Sequence, residues 1–180
     1  MKVIAASIVG LLIAQPTFAQ IVDSASGGFA SRHTAVVEAD RATVWNELVH
    51  PERWWAHTWS DDANNLRLEA RAGGCFCEVL PATDGWPAGS VEHMRVVFVQ
   101  PGTTLRMSGS LGPLQGEGLA GTLTVSLEEL ENGGTLITWS YITGGQAHFD
   151  LDEVASVVDR VQGEFLAGLV DAVGGTLVDD

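Results

Sequence analysis

Lysine is almost missing from this chain of 180 residues, whose single lysine is Lys2. Lysine and arginine together number 9 against 23 aspartates and glutamates, so the formal net charge is -14 at pH 7. A surface this acidic repels phosphate backbones and anionic membrane surfaces. We therefore expect no nucleic-acid partner, and no stable membrane association once the N-terminal segment described below is cleaved.

Cysteine is also scarce, because Cys75 and Cys77 are the only two. They lie two apart on a predicted strand and so share a face, where an ideal strand separates them by about 6.6 Å. A disulfide requires Cβ atoms about 3.8 Å apart and hence a distorted strand. Three alternatives stay open: two free thiols, a disulfide, or a pair of metal ligands completed by His93. No His/Cys spacing in the sequence supports the metal site.

The sequence has none of the short motifs that bind a cofactor or activate a nucleophile. A serine nucleophile elbow, a P-loop, a dinucleotide fingerprint and a metalloprotease helix are all missing. We therefore predict no cofactor and no metal.

The first residues have the pattern of a secretory signal peptide. Lys2 precedes an apolar run over residues 3–14, and Thr17-Phe18-Ala19 is a small-residue cleavage pattern. The run is too short for a permanent membrane span. The pattern predicts cleavage after Ala19 and a periplasmic or secreted protein, with an uncleaved anchor as the alternative. Residues 20–28 are then expected to be a loose linker, 29–175 one domain, and 176–180 a tail.

The most strongly patterned element is a long helix from Asp150 to about Gly175. Asp150 is a good N-cap, Glu153 and Phe149 fit a capping box and a hydrophobic staple, and Gly174-Gly175 are typical of a helix end. Apolar residues recur at helical spacing, which predicts one buried face: Val154, Val157, Val158, Val161, Phe165, Leu169 and Val173.

Most of the remaining chain alternates as strands do. After a first strand over 29–39, two short helices are expected at 41–49 and at 52 to about 57. Six further strands are predicted at 66–70, 75–80, 91–100, 105–110, 122–130 and 136–143. The expected fold is α+β with a helix grip, in which a curved antiparallel sheet of six to seven strands wraps around the long C-terminal helix.

This element order resembles the helix-grip superfamily called SRPBCC or START-like. The motifs that carry the resemblance are Trp54-Trp55, Gly73-Gly74-Cys75-Phe76-Cys77-Glu78, Val91-Glu92-His93-Met94, Leu105-Arg106-Met107-Ser108-Gly109 and Leu111-Gly112-Pro113-Leu114-Gln115. The last run is similar to a bacterial branch described as polyketide cyclase/dehydrase-like, or likened to the activator of the heat-shock chaperone ATPase. The resemblance implies a cavity between sheet and helix. It does not specify an activity, because the superfamily hosts carriers, cyclases, hydrolases and chaperone partners.

A cavity of that kind would be lined by large apolar side chains. The resemblance places Trp54, Trp55 and Trp59 at one end of it. The complete predicted lining is Trp54, Trp55, Trp59, Met107, Trp139, Tyr141, Phe165 and Leu169.

Three residues could supply acid–base chemistry there, namely His93, Glu92 and Tyr141. Adjacent residues of a strand face opposite sides, so at most one of Glu92 and His93 is expected to point into the cavity.

The preferred hypothesis is an exported protein that binds a small hydrophobic molecule, and its alternative is a cyclase/dehydratase- or hydrolase-like enzyme using the same cavity. The predicted signal peptide argues against a chaperone-ATPase partner. The sequence leaves the ligand and the oligomeric state open.

Overall fold

The computed structural model describes residues 20–25 and 27–175. The predicted signal peptide, residues 1–19, and the predicted tail, residues 176–180, lie outside the described residues. One antiparallel sheet of eight strands has the order β1-β2-β8-β7-β6-β5-β4-β3. The strands are β1 (Gln20–Ala25), β2 (Gly28–Val37), β3 (Leu66–Leu68), β4 (Cys75–Leu80), β5 (Gly89–Gln100), β6 (Thr104–Ser108), β7 (Gly118–Glu129) and β8 (Thr135–Gln146). The helices are α1 (Arg41–Leu48) and α2 (Leu151–Ala172).

The predicted fold class is confirmed, with one strand more than expected. Residues Gln20–Ala25 form the edge strand β1, paired antiparallel with β2, in place of the loose linker predicted there. The main chain of β2 would otherwise present an unpaired edge to solvent, and pairing with β1 satisfies it.

The connection after β2 contains short helices, as predicted. Asp40 caps α1 by accepting from the Thr43 amide at 2.8 Å. The next is a 3-10 helix, Pro51–Arg53, which is shorter than the helix predicted from 52 to about 57. The amide of Trp55 donates to the carbonyl of Pro51, and the indole then turns inward and is buried.

Helix α2 begins and ends as its sequence predicts. Asp150 accepts a hydrogen bond from the Asp152 amide at 3.0 Å. At the other end Gly174 has φ +72° and Gly175 donates to the carbonyl of Val170 at 2.9 Å. These two glycines make a Schellman motif, in which a left-handed residue satisfies the last carbonyls.

The buried face of α2 differs from the predicted one in the first half of the helix. The valines at 154, 157, 158 and 161 are exposed or only partly buried, and Val157 is 47% exposed. The side turned to the sheet is instead Leu151, Ala155, Asp159, Gln162 and Leu166. In the second half the prediction is correct, because Phe165 and Leu169 are buried in the main core. Among the described residues, no helix has the length and hydrophobicity to cross a bilayer.

Candidate ligand-binding site

A cavity of about 520 Å³ lies beside α2 and is bounded by the helix, by His93 of strand β5 and by two connecting segments. We call it the valine cavity, because one wall is the row Val154, Val157, Val158 and Val161 of α2. The segment Trp55–Trp59 and the 3-10 turn Gly112–Gly116 supply the other walls. Its volume is within the range of about 300–1,000 Å³ that is usual for small-molecule sites.

The turn that forms the second wall is fixed at both ends. The amide of Leu111 donates to the hydroxyl of Tyr141 at 3.4 Å, and the side chain of Gln115 donates to the carbonyl of Glu92 at 2.7 Å. A Cβ on Gly121 would lie 2.7 Å from that hydroxyl, so glycine at this position makes room for Tyr141. These two bonds thereby hold the apolar side of the turn against the cavity, with Leu111, Pro113 and Leu114 in its wall.

His93 reaches the valine cavity because strand β5 contains a bulge. Met94 pairs with Phe76 and Glu92 pairs with Cys77, which leaves His93 as an extra residue without a partner in register. A bulge re-aims the side chains around it. Consequently the adjacent residues His93 and Met94 are both buried, whereas Glu92 stays exposed.

His93 is held by a second buried group, the carboxylate of Glu78 on β4. His93 Nε2 lies 2.8 Å from Glu78 Oε2, and the two side chains are 3% and 0% exposed. The Glu78 carboxylate also accepts from the amides of Trp59 at 3.0 Å and Ser60 at 2.6 Å. These bonds anchor the Trp55–Trp59 wall to the sheet.

The surroundings set the charge of this pair. Burial alone would raise the pKa of Glu78, but the hydrogen bonds from Ser60, Trp59 and His93 together hold the pKa below its ordinary value. Burial lowers the pKa of His93, and the neighbouring Glu78, which raises it, does not reverse the effect. At neutral pH His93 is therefore an uncharged imidazole beside an ionised carboxylate. Since a carboxylate only accepts, Nε2 carries the proton and Nδ1 is an acceptor.

Gln162 is the other polar side chain buried at the cavity wall, with 1% exposure. Its Oε1 accepts from the indole N–H of Trp139 at 2.8 Å. An indole nitrogen is only a donor, so this bond fixes which end of the amide is oxygen. The amide nitrogen of Gln162 is left as a donor.

The predicted ligand-binding residues divide into two groups. Trp55, Trp59 and Phe165 line the valine cavity. The other five belong to the core, namely Trp54, Met107, Trp139, Tyr141 and Leu169. Trp54, Met107 and Trp139 also line a small opening of about 10 Å³, to which α2 contributes no residue. Trp55 stacks on Phe165 of α2 with ring centroids 3.6 Å apart, so these two rings form the part of the cavity wall that adjoins the core.

Of the three acid–base candidates, only His93 is at the cavity. Glu92 is exposed and pairs with Arg95 at 2.5 Å. Tyr141 is fully buried, and burial raises the pKa of its hydroxyl, which therefore stays protonated. Its role is to hold the amide of Leu111.

Sequence reasoning missed Glu78 and Gln162, and assigned the valines of α2 to the core. A signal existed for both polar residues. Glu78 interrupts the apolar run of β4, and Gln162 lies on the helix between Val161 and Phe165. Neither signal shows which face of its element is turned inward.

A second polar cluster, Ser31, His33 and Asp159, ties α2 to β2. Asp159 Oδ1 accepts from Ser31 Oγ at 2.5 Å and lies 3.0 Å from His33 Nε2, which is also 3.1 Å from Ser31 Oγ. A Ser-His-Asp relay uses opposite nitrogens of the histidine. Here one nitrogen of His33 contacts both partners, so the cluster has the structural role of holding α2 against β2.

The two glycines inside α2 are explained by close packing. A Cβ on Gly163 would lie 3.1 Å from the ring of His33. A Cβ on Gly168 would lie 2.6 Å from the carbonyl oxygen of Trp54. Neither glycine is needed to make room for a ligand.

Cys75 and Cys77 form a disulfide, so of the three alternatives the structure has this one. Their Cα atoms are 5.4 Å apart, closer than in a regular strand, and the register shift of β4 lies between Phe76 and Cys77. Glu92 is the acidic group beside the two sulfurs. His93, considered above as a further metal ligand, is bonded to Glu78 instead.

The fold is shared with solved structures of low sequence identity. A Staphylococcus aureus protein of unknown function superposes with a TM-score of 0.61 and 11% identity, covering 83% of this chain and 95% of its own. A Rhizobium loti protein superposes with a TM-score of 0.56 and 16% identity, covering 81% of this chain and 99% of its own. An uncharacterised Rhizobium leguminosarum protein superposes with a TM-score of 0.53 and 22% identity, covering 82% of this chain and 97% of its own. No protein-family model matches the chain, and no curated protein matches it. These likenesses establish a helix-grip-like fold.

Proposed function

We propose that this protein binds a small hydrophobic molecule in the valine cavity. The observation that carries the proposal is the row of four valines on α2, which lines a cavity of about 520 Å³. Val154, Val158 and Val161 are only partly buried and Val157 is 47% exposed, and apolar surface left in water is unfavourable by about 25 cal/mol per Å². A bound apolar molecule would remove that surface from water.

The resemblance to SRPBCC proteins supports the same proposal, since ligand carriers belong to that superfamily. In this chain the rings of Trp54, Trp55, Trp139 and Phe165 pack together in the core. The ligand would therefore lie beside this ring cluster, against the valine row of α2 and the Gly112–Gly116 turn.

A charge placed on the valine wall tests the proposal. Val157→Glu puts a carboxylate at the cavity, and Ile142→Glu makes a comparable change at an exposed position of β8 that does not line it. We expect N-phenyl-1-naphthylamine, a neutral apolar fluorophore, to bind the unaltered protein and Ile142→Glu equally. Val157→Glu should bind it about tenfold or more weakly, because the probe must now contact a charged group. Fluorescence titration measures all three affinities.

Equal binding to all three proteins, or no binding to any, would contradict the proposal. Circular dichroism of each variant shows whether the fold is retained.

The pair of His93 and Glu78 favours a second candidate function, acid–base catalysis in the same cavity. A buried carboxylate orients the ring and leaves the neutral Nδ1 as an acceptor at the wall, as a general base requires. The polyketide cyclase/dehydrase-like resemblance points to the same chemistry. His93→Gln keeps a donor for Glu78 but is a poor base, so it should abolish turnover of any substrate found while leaving thermal stability nearly unchanged. Undiminished turnover would reject this function.

We also propose that the protein acts outside the cytoplasm after cleavage behind Ala19. The basic start, apolar run and small-residue pattern of residues 1–19 support this. N-terminal sequencing of protein from the native host should begin at Gln20. An intact Met1 would refute the cleavage.

A further inference from the structure

We infer that the ligand of the valine cavity carries an uncharged hydroxyl group, which donates a hydrogen bond to Nδ1 of His93. The inference rests on the proposed binding function and specifies the chemistry of its ligand. It excludes carboxylates such as fatty acids as the preferred occupants.

Only one of the two ring nitrogens of His93 is bonded to a residue that the structure describes. Its side chain is 3% exposed and lines the cavity, and Nε2 is taken up by Glu78 at 2.8 Å. Within the described part of the chain, no hydrogen bond reaches Nδ1. Nδ1 is not one of the fully buried side-chain atoms that lack a hydrogen bond, so it is open to the cavity, where a hydrogen-bond donor on the ligand can reach it.

The amide side chain of Gln162 lines the same cavity. Its oxygen is occupied by the Trp139 indole, and no hydrogen bond to its nitrogen is found among the described residues. The wall thus offers one acceptor and one donor. A hydroxyl group both donates and accepts, so it suits this wall better than a group with only one capacity.

The charge of the cavity wall disfavours an anionic ligand. None of the described residues that line the cavity is arginine or lysine, and the chain has no lysine beyond Lys2. A carboxylate on the ligand would meet the lone pair of His93, with the ionised Glu78 directly behind it. Burial lowers the pKa of His93, so protonation of the ring does not supply the missing positive charge at neutral pH. Burying an unpaired charge is strongly unfavourable.

Three ligands with the same ten-carbon chain separate these effects. 1-Decanol has a hydroxyl donor, decyl methyl ether has only an acceptor, and decanoate is an anion above about pH 7. Their affinities follow from displacement of N-phenyl-1-naphthylamine. We expect 1-decanol to bind at least about tenfold more tightly than decanoate and about fivefold more tightly than the ether.

Replacing the histidine shows whether His93 causes the preference. His93→Phe removes the acceptor, so 1-decanol and the ether should bind it with affinities within about twofold of each other. His50→Phe is the matched control, because His50 does not line the cavity, and it should keep the preference for the alcohol.

The outcomes distinguish this inference from the function on which it rests. Decanoate or the ether binding as tightly as 1-decanol would overturn the inference and leave hydrophobic binding intact. Failure of all three, and of the fluorophore, would overturn the proposed function itself. The comparison on the unaltered protein decides the inference even if His93→Phe does not fold.

Discussion

At the scale of single residues, the buried pair of His93 and Glu78 makes stability depend on pH. His93 has a lowered pKa in the folded protein, so below its ordinary value near 6.5 the unfolded chain takes up the proton more readily. The contribution of His93 to the free energy of unfolding is therefore complete above about pH 6.5 and decreases as the pH falls from there. Glu78 also has a lowered pKa, and its contribution is lost in a second, more acidic range below about 4.5.

The first of these ranges can be assigned to His93 by substitution. Urea unfolding of the unaltered protein should give a smaller free energy of unfolding at about pH 5.5 than at about pH 7.5. His93→Gln keeps the donor to Glu78 but does not titrate, so its loss of stability over the same range should be smaller. An identical pH dependence in both proteins would show that His93 does not titrate differently on folding.

At the scale of the element, α2 has two apolar faces with different roles. Val170 is fully buried in the core, whereas Val157 is 47% exposed at the cavity. Val170→Ala should lower the free energy of unfolding by about 2 kcal/mol, through lost burial and the space left behind. Val157→Ala should change it by less than about 0.5 kcal/mol, since alanine also has the higher helix propensity.

Urea unfolding of these two variants compares the same substitution at two positions of one helix. Equal destabilisation would mean that the valine row is packed like core, which contradicts the proposed cavity.

The limits of sequence reasoning are clearest in α2. Its caps follow from local chemistry, so Asp150 and Gly174 could be predicted from the sequence. The direction in which each face points depends on long-range partners. Asp159 and Gln162 face the sheet because Ser31, His33 and Trp139 supply hydrogen bonds there. Hydrophobic periodicity alone assigns polar residues to solvent. It therefore predicted the wrong buried face for the first half of the helix.

Strand β5 shows a second limit. Alternation predicts that at most one of Glu92 and His93 points inward, and in the structure His93 is buried and Glu92 is exposed. The bulge at this residue depends on the register with β4, which the sequence of β5 does not contain. Glu78 could not be assigned as its partner for the same reason.

At the scale of the whole molecule, the fold follows from element order and the position of the site does not. Strand alternation and the long helix predicted a helix-grip arrangement, and the sheet and α2 confirm it. The location of free space depends on how the largest rings pack. Trp54, Trp55 and Trp139 pack together in the core, so the space of ligand size is left beside them, between the valine row of α2 and His93 of β5.

The central claim is that an apolar ligand binds along the valine row of α2. Methyl NMR of valine-labelled protein, titrated with N-phenyl-1-naphthylamine, tests it at the residues themselves. The account predicts the largest shift changes at Val154, Val157, Val158 and Val161, with little change at the core residues Val125 and Val170. Changes confined to other valines, such as the exposed Val97 on β5, or no changes at saturating probe, would contradict it.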